Sequence, residues 1–343
     1  MMNETINLIM TGRKKRRLRF ILVTSLLAVI ALALCCAMLM LGNTIYPVQD
    51  VIRVLMGEKV QGATFTVGTL RFPRMVAGLF AGFAFGVAGA VFQTMLRNPL
   101  ANPNVIGITA GSSAAAVFCI VVLHASNTVV SIASIFGGLA AVFVIFLLSK
   151  GSSFSIGRLI LIGIGIQAML DAVISYLLLI GRENDLPAAM RWLSGSLNGA
   201  KMETLYPLII AVLVFTPVLV GLGKRLDMLE LGEEAASSLG VNTDQTRLVL
   251  IISSVLIIAL ATAATGPIAF VAFLSGPIAK RLTGAGFSPI IPAGLTGIIL
   301  VLASDLVGQF AFTARYPVGV ITGILGAPYL IYLLIRMNRK GDL

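Results

Sequence analysis

Long apolar blocks separated by short polar segments dominate the sequence. Most blocks hold about twenty residues, the length that an α-helix needs to cross a hydrocarbon core about 30 Å thick. Ten blocks are found, at 20–41, 70–95, 104–123, 129–149, 157–181, 203–222, 246–265, 268–282, 289–310 and 317–337. The pattern predicts an all-α integral membrane protein with about ten transmembrane helices and short loops.

The eighth block, 268–282, departs from this pattern. It is short for a full crossing, and its ends lie near two Gly-Pro pairs, Gly266-Pro267 and Gly276-Pro277. Irregular backbone is tolerated at membrane depth where protein covers it. A tilted, partly buried or re-entrant helix is therefore the alternative to a full crossing at this position.

Composition agrees with a membrane protein. Apolar residues make up 58% of the 343 positions and charged residues 11%, against roughly 45–50% and 25% in soluble domains. The net charge of +11 does not indicate nucleic-acid binding, because Lys and Arg gather at the ends of the apolar blocks. Cys35, Cys36 and Cys119 lie inside apolar blocks, without the spacing of a disulfide framework or a metal site.

The distribution of basic residues predicts the orientation of the chain. With ten crossings and the N-terminus inside, seventeen of the 25 Lys and Arg residues lie inside and eight outside, so the positive-inside rule places both termini in the cytoplasm. The predicted organisation is a cytoplasmic basic segment at 1–19, a single membrane domain at 20–337 and a cytoplasmic tail at 338–343. The first apolar block is too long for a signal peptide and is interpreted as a retained span.

Groups able to carry out covalent chemistry are sparse. The single histidine, His124, lies in a short loop without a second histidine or a cysteine cluster to share a metal, so a solvated or interfacial position is predicted. No phosphate-binding GxxxxGK[ST] motif is present, so any ATP hydrolysis belongs to a partner. We expect no catalytic residues, bound cofactor or metal, and a membrane-embedded enzyme is disfavoured.

Two carboxylates, Asp171 and Asp305, lie within apolar blocks. A charged group inside a membrane is costly and marks a function or a buried partner. One interpretation is a proton-coupled secondary transporter that uses both aspartates. The favoured alternative is that each lies near a span end or bonds to its neighbours, as Ser304 would allow for Asp305, because no chain of titratable groups accompanies them.

Three glycines, Gly78, Gly82 and Gly86, recur every four residues and lie on one face of the predicted second helix. Small residues at this spacing let two helix backbones approach closely in lipid. Close helix packing is the favoured interpretation, and the wall of a wide substrate path is the alternative.

The polar stretch between the sixth and seventh blocks, Lys224 to Arg247, holds five of the fourteen acidic residues. Apolar positions recur in it at near-helical spacing, and Gly240 suits a helix end. These positions are Leu229, Leu231, Ala235, Ala236 and Leu239. A solvated connector needs no apolar face, so the pattern predicts a short amphipathic helix that docks against another protein.

Six ordered segments between about residue 45 and 336 resemble the FecCD family, the permease subunits of iron-siderophore, haem and cobalamin ABC importers. The segments are RFPR (Arg71 to Arg74), GVAGAVFQTMLRNPLANPNVIGITAGSSAA, LGEEAASSLGV, GPIAFVAFLSGPIAKRL, SDLVGQ and YPVGVITGILGAPYLIYLL. RLILIGIGIQAML and WLSGSLNG are similar to subunits of ferric-siderophore importers, including the ferric enterobactin type.

The resemblance implies a type II ABC importer permease with ten transmembrane helices in the bacterial cytoplasmic membrane, in contact with membrane lipid. It implies a second permease subunit, for which a homologue in a heterodimer is expected. Two ATPase subunits that bind ATP and an extracytoplasmic siderophore-binding protein complete the expected assembly. Ferric siderophore is the expected cargo, carried by alternating access, with haem or cobalamin as alternatives and no nucleic acid.

Site residues follow from the resemblance by position. The ATPase-coupling residues would be Leu229, Gly232, Glu233, Glu234, Ala235, Leu239 and Gly240. Arg71, Arg74 and Arg315 would dock the binding protein, although Arg71 and Arg74 are equally compatible with anchoring at the membrane interface. Asn98 and Pro99, with Gly78, Gly82 and Gly86, would serve helix packing or the pathway.

The chain departs from the family at two positions. Leu274 to Ile278 lacks the histidine of the family's V-P-H-I, and Gln309 stands where a third docking arginine can follow Asp305. Arg315, six residues further on, is the expected substitute for that arginine.

Overall fold

A computed structural model describes residues 2–149, 156–284 and 286–340. The described residues form fourteen α-helices and no strand, with a π-helical segment at Thr64–Arg71 and a 3-10 turn at Pro103–Ile106. The helices are α1 (Met2–Met40), α2 (Val48–Leu55), α3 (Phe72–Met95), α4 (Ile108–Val121), α5 (Asn127–Ser149), α6 (Ile156–Ile180), α7 (Leu186–Ser194), α8 (Met202–Gly221), α9 (Gly223–Glu230), α10 (Glu233–Ser238), α11 (Thr243–Thr265), α12 (Val271–Thr283), α13 (Ile290–Phe310) and α14 (Val318–Lys340). The predicted all-α class is confirmed.

Eight segments of the described chain are long and apolar enough to cross a membrane. They are Met10–Met40, Thr64–Met95, Asn127–Ser149, Gly157–Ile180, Met202–Gly221, Thr243–Thr265, Ile290–Phe310 and Val318–Ile335. The other two predicted blocks contain α4, with 14 residues, and α12, with 13 residues. At 1.5 Å per residue these helices are only about 20 Å long, so ten full crossings stay a prediction.

Backbone breaks explain why α4 and α12 are short. Gly107, before α4, has φ of 70°, and Phe270, before α12, has φ of 64°. Positive φ is incompatible with a right-handed helix and is costly for a residue with a side chain. Both helices therefore begin a few residues after the start of the apolar blocks that contain them.

The centre of the fold consists of α3, α11 and α13, most of whose residues are buried. A Cβ added to Gly82 of α3 would lie 2.7 Å from the carbonyl oxygen of Gly297 in α13, and one added to Gly86 would meet the carbonyl of Ala293. One added to Gly78 would meet the side chain of Leu302. The glycine face of α3 therefore packs against α13, as the favoured interpretation held.

Polar contacts tie the helix ends together at two opposite ends of the molecule. At one end, Arg19 of α1 donates to the Leu282 carbonyl of α12 at 2.9 Å, and the Arg97 side chain lies beside Gly232. At the other end, Arg315 donates to the Asn43 side chain at 2.8 Å.

Most of the Lys and Arg residues that were predicted to face the cytoplasm lie at the end that contains Arg19. This end is called the inner end, and the opposite end is called the outer end. Lys150 and tail residues 341–343 fall outside the described residues.

Candidate functional site

The loop predicted to dock an ATPase is folded into two short helices, α9 and α10, and residues 223–242 are called the coupling segment. The predicted continuous helix over Leu229 to Leu239 is wrong, because the chain turns at Gly232, where φ is 117°. Gly240, with φ of 81°, ends α10 as predicted. Side chains are strained at such angles, so glycine is required at both ends of α10.

The apolar residues of the coupling segment divide between two faces. Leu229 and Ala236 are 2% and 0% exposed and hold the segment against the membrane domain. Leu231 and Leu239 are 67% and 58% exposed at the inner end, and Ala235 is also exposed. Leu229 is thus a packing residue, which corrects its predicted contact with a partner. The exposed leucines are the residues of this segment available for docking.

Ion pairs fix the coupling segment to the helices around it. Glu233 Oε2 lies 2.9 Å from Nη1 of Arg247, a buried side chain of α11. Glu230 Oε1 lies 2.9 Å from Lys280 Nζ of α12. Burial, and then the nearby Glu230 carboxylate, raise the pKa of the Asp227 carboxyl above its ordinary value, against the opposing effect of Lys280. Glu233 therefore anchors α10, whereas the exposed Glu234 has no ion pair within the described chain.

A buried polar cluster joins α3 to α13 at the outer end. Arg74 donates from Nε to Asp305 Oδ2 at 2.9 Å and from Nη2 to Asp305 Oδ1 at 2.8 Å. Gln309 donates its amide to Asp305 Oδ2 at 2.7 Å. Asp305 is 1% exposed and both its oxygens are engaged, so it links α3 to α13. It bonds to neighbours, as favoured above, but they are Arg74 and Gln309 and not Ser304.

Arg71 does not face outward, which corrects its predicted role. Its guanidinium donates to the carbonyls of Leu39 at 3.0 Å, Met40 at 2.8 Å and Thr44 at 2.6 Å, and it lies 5.1 Å from the centre of the Tyr46 ring. A cation that satisfies the last carbonyls of a helix stabilises its C-terminus. Arg71 therefore holds the end of α1.

Of the three arginines predicted to dock a binding protein, only Arg315 is exposed. Arg74 is partly exposed and is already paired with Asp305. A cavity of about 360 Å³ at the outer end is lined by Arg71, Arg74 and Arg315. The guanidinium of Arg315 and the edge of Arg74 are the accessible positive charges of this cavity.

A second cavity, of about 400 Å³, lies where α4 and α12 begin. Three polar residues of α6 line it at a spacing of four, and four more come from the chain around α4. The residues are Gln167, Asp171 and Ser175 of α6 with Asn102, Asn104, Thr109 and Ser113. Broken helices that open on a polar cavity are typical of transporter substrate sites. Only Asp171 among these residues was identified from the sequence, although the i, i+4 spacing of the three α6 residues is visible in it.

The Asp171 carboxylate is exposed on α6 and has no hydrogen bond or ion pair to the described residues. A charged group in contact with lipid is costly. Water or another protein subunit must therefore cover this part of α6 in the membrane.

Asn98 and Pro99 lie in an exposed turn after α3, where the Asn98 side chain accepts from the Leu100 amide at 2.8 Å. The turn lies at the inner end, and their role in helix packing or the pathway stays a prediction. His124 Nδ1 lies 3.2 Å from Asp185 Oδ2, and its side chain is exposed, which is compatible with the solvated or interfacial position predicted for it.

The model of the FecCD transport family matches residues 26–336. The chain belongs to the FecCD transport family. It is therefore a permease of the ABC importer type and a multi-pass protein of the cytoplasmic membrane.

Individual relatives agree with this assignment. The chain is 37% identical over 303 residues to the ferric enterobactin transport system permease protein FepG of Escherichia coli, covering 87% of this chain and 91% of FepG. It is 34% identical to the achromobactin transport system permease protein CbrC of Dickeya dadantii over 95% of each chain. A solved inward-facing conformation of a putative metal-chelate type ABC transporter matches 92% of this chain and 99% of its own, with a TM-score of 0.81 and 26% identity.

Proposed function

We propose that this chain forms half of the translocation pathway of an ATP-driven importer and carries a ferric siderophore inward by alternating access. The observation that carries the proposal is the coupling segment. It presents Leu231 and Leu239 to solvent at the inner end, in a chain without a nucleotide-binding motif of its own.

The proposed energy source is a dimer of ATPase subunits that binds the exposed face of α10. ATP-driven closure of this dimer would move α10. The motion would reach α11 through the Glu233–Arg247 ion pair and α12 through the Glu230–Lys280 pair. Because α12 begins at the polar cavity of α6, movement of its inner end would alter that cavity.

A second permease subunit, a homologue of this chain, would complete the pathway. Support comes from α6, which exposes large apolar residues such as Leu161 and Leu179 together with Asp171. Lipid would suit the leucines but not the carboxylate. A water-filled path between two subunits accommodates both.

The proposed orientation has both termini and the coupling segment in the cytoplasm, and the positive charges at the inner end support it through the positive-inside rule. An extracytoplasmic siderophore-binding protein would deliver its cargo at the outer end, where Arg315 and the edge of Arg74 offer positive charge. FepG and CbrC are named for two different siderophores. These names support a ferric siderophore as the cargo but do not identify which one is carried.

Uptake of radioactive iron by cells tests the proposed cargo. A strain that lacks this chain should lose uptake of at least one ferric siderophore from a panel of catecholate, hydroxamate and carboxylate chelates, and a plasmid copy should restore it. Uptake should also be lost when the partner ATPase is deleted and the proton gradient is intact. Loss of haem or cobalamin uptake alone would contradict the proposal, and uptake that survives without the ATPase would favour a proton-coupled transporter.

A further inference from the structure

The N-terminal part of α1 carries a dense group of positive charges beside the membrane. Helix α1 holds 39 residues, but its apolar part, Phe20 to Met40, is already about 32 Å long at 1.5 Å per residue and fills the hydrocarbon core. Residues 13–19 hold six cations and therefore continue the helix through the headgroup layer at the inner end.

Contacts with the end of α12 fix the angle at which α1 leaves the membrane. Arg19 donates from Nε to the Leu282 carbonyl at 2.9 Å and from Nη2 to the Arg281 carbonyl at 3.0 Å. The Phe20 ring stacks on Phe287 with centroids 4.9 Å apart. The basic part of α1 is consequently held at a defined position beside residues 286–289.

A cavity of about 1120 Å³ lies between this part of α1 and the loop before α13. Met10, Arg13, Lys14 and Arg17 line it at the spacing of one helix face, Arg16 lies beside them, and Phe287 closes the far side. Within the described chain, none of these four cations has an acidic partner. The cavity thus combines several unneutralised cations with apolar groups at the level of the lipid headgroups.

We propose that this cavity binds the phosphate headgroup of an anionic phospholipid. Arg13, Lys14, Arg16 and Arg17 would hold the phosphate, and Phe287, which stacks on Phe20, would contact the start of the acyl chains. Basic clusters immediately cytoplasmic of a transmembrane helix attract anionic lipids by this chemistry. Orientation of the chain requires only the positive charges, whereas a lipid site also uses the cavity and the fixed angle of α1.

Lipid binding to the purified full-length chain in a neutral detergent tests the proposal. Native mass spectrometry would follow titrations with phosphatidylglycerol, phosphatidylcholine and inorganic phosphate. We expect saturable binding of phosphatidylglycerol at least tenfold tighter than that of phosphatidylcholine, since two or more cations act on one headgroup. Equal binding of the two lipids, or displacement of phosphatidylglycerol by an equal concentration of inorganic phosphate, would overturn it.

Three paired variants locate the site. Arg13→Gln/Arg17→Gln should reduce the preference for phosphatidylglycerol about tenfold. Lys224→Gln/Arg225→Gln removes the same charge from exposed positions at the same end, outside the cavity, and should leave the preference unchanged. Arg13→Lys/Arg17→Lys keeps the charge and should bind as the unmodified chain does. This result would show that the loss in the first variant comes from the missing charges and not from failed membrane insertion. Equal losses in the first two variants would show attraction by net charge and contradict a built site.

Discussion

Replacement of Arg74 by leucine is expected to destabilise the protein by about 3–5 kcal/mol, because it leaves a buried charge without its partner. The Asp305 carboxylate is 1% exposed and loses both bonds from Arg74. The amide of Gln309 remains but carries no charge. Denaturant unfolding in micelles, followed by tryptophan fluorescence from Trp192, measures the change.

Two further variants show whether the ion pair is the cause. Arg74→Leu/Asp305→Leu removes both charges and should recover most of the lost stability, since a buried pair can be replaced by apolar residues at little cost. Arg315→Leu, an exposed arginine at the same end, should change stability by less than about 0.5 kcal/mol. An Arg74→Leu protein as stable as the Arg315→Leu protein would show that the pair does not hold α3 to α13.

The second large effect is expected in the coupling segment. Leu231→Glu/Leu239→Glu should prevent assembly with the ATPase and abolish uptake, because each leucine would lose about 1.5–3 kcal/mol of apolar burial at the interface. The loss of both corresponds to a reduction in affinity of more than about a hundredfold. Folding should be unaffected, since both side chains are exposed in the single chain. Co-purification of the ATPase and cellular uptake measure the effect.

A matched change at the outer end provides the control for this variant. Leu55→Glu/Met56→Glu introduces the same charges at exposed apolar positions near α2 and should leave the ATPase bound. A cysteine at Ser237 of α10 should react with an impermeant reagent only from the cytoplasmic side, which also tests the predicted orientation. Normal ATPase binding by the Leu231→Glu/Leu239→Glu protein would show that α10 is not the coupling element.

The hydrophobic pattern predicted the eight long spans well, because burial in lipid or protein imposes the same apolar run on each helix. It did not predict where α4 and α12 begin, since a positive φ at Gly107 or Phe270 leaves the apolar pattern unchanged. Nor did it predict the break at Gly232, where the apolar positions on both sides continue a helical spacing.

Residue roles depended on contacts that sequence spacing does not reveal. Arg74 and Asp305 are 231 residues apart, and the RFPR motif predicted that Arg74 either docks a binding protein or anchors at the membrane interface, not that it pairs with Asp305. The two intramembrane aspartates looked equivalent in the sequence. The fold separates them, because Asp305 is buried beside Arg74 and Asp171 faces an open polar cavity.

Import by a reconstituted complex tests the central claim most directly. The chain, its partner permease and the ATPase would be placed in liposomes, with the loaded binding protein outside and ATP enclosed. The account predicts that a ferric siderophore accumulates inside, that accumulation requires ATP hydrolysis and that it persists when a protonophore collapses the proton gradient. Accumulation driven by a proton gradient in liposomes that contain this chain without the ATPase would contradict the account.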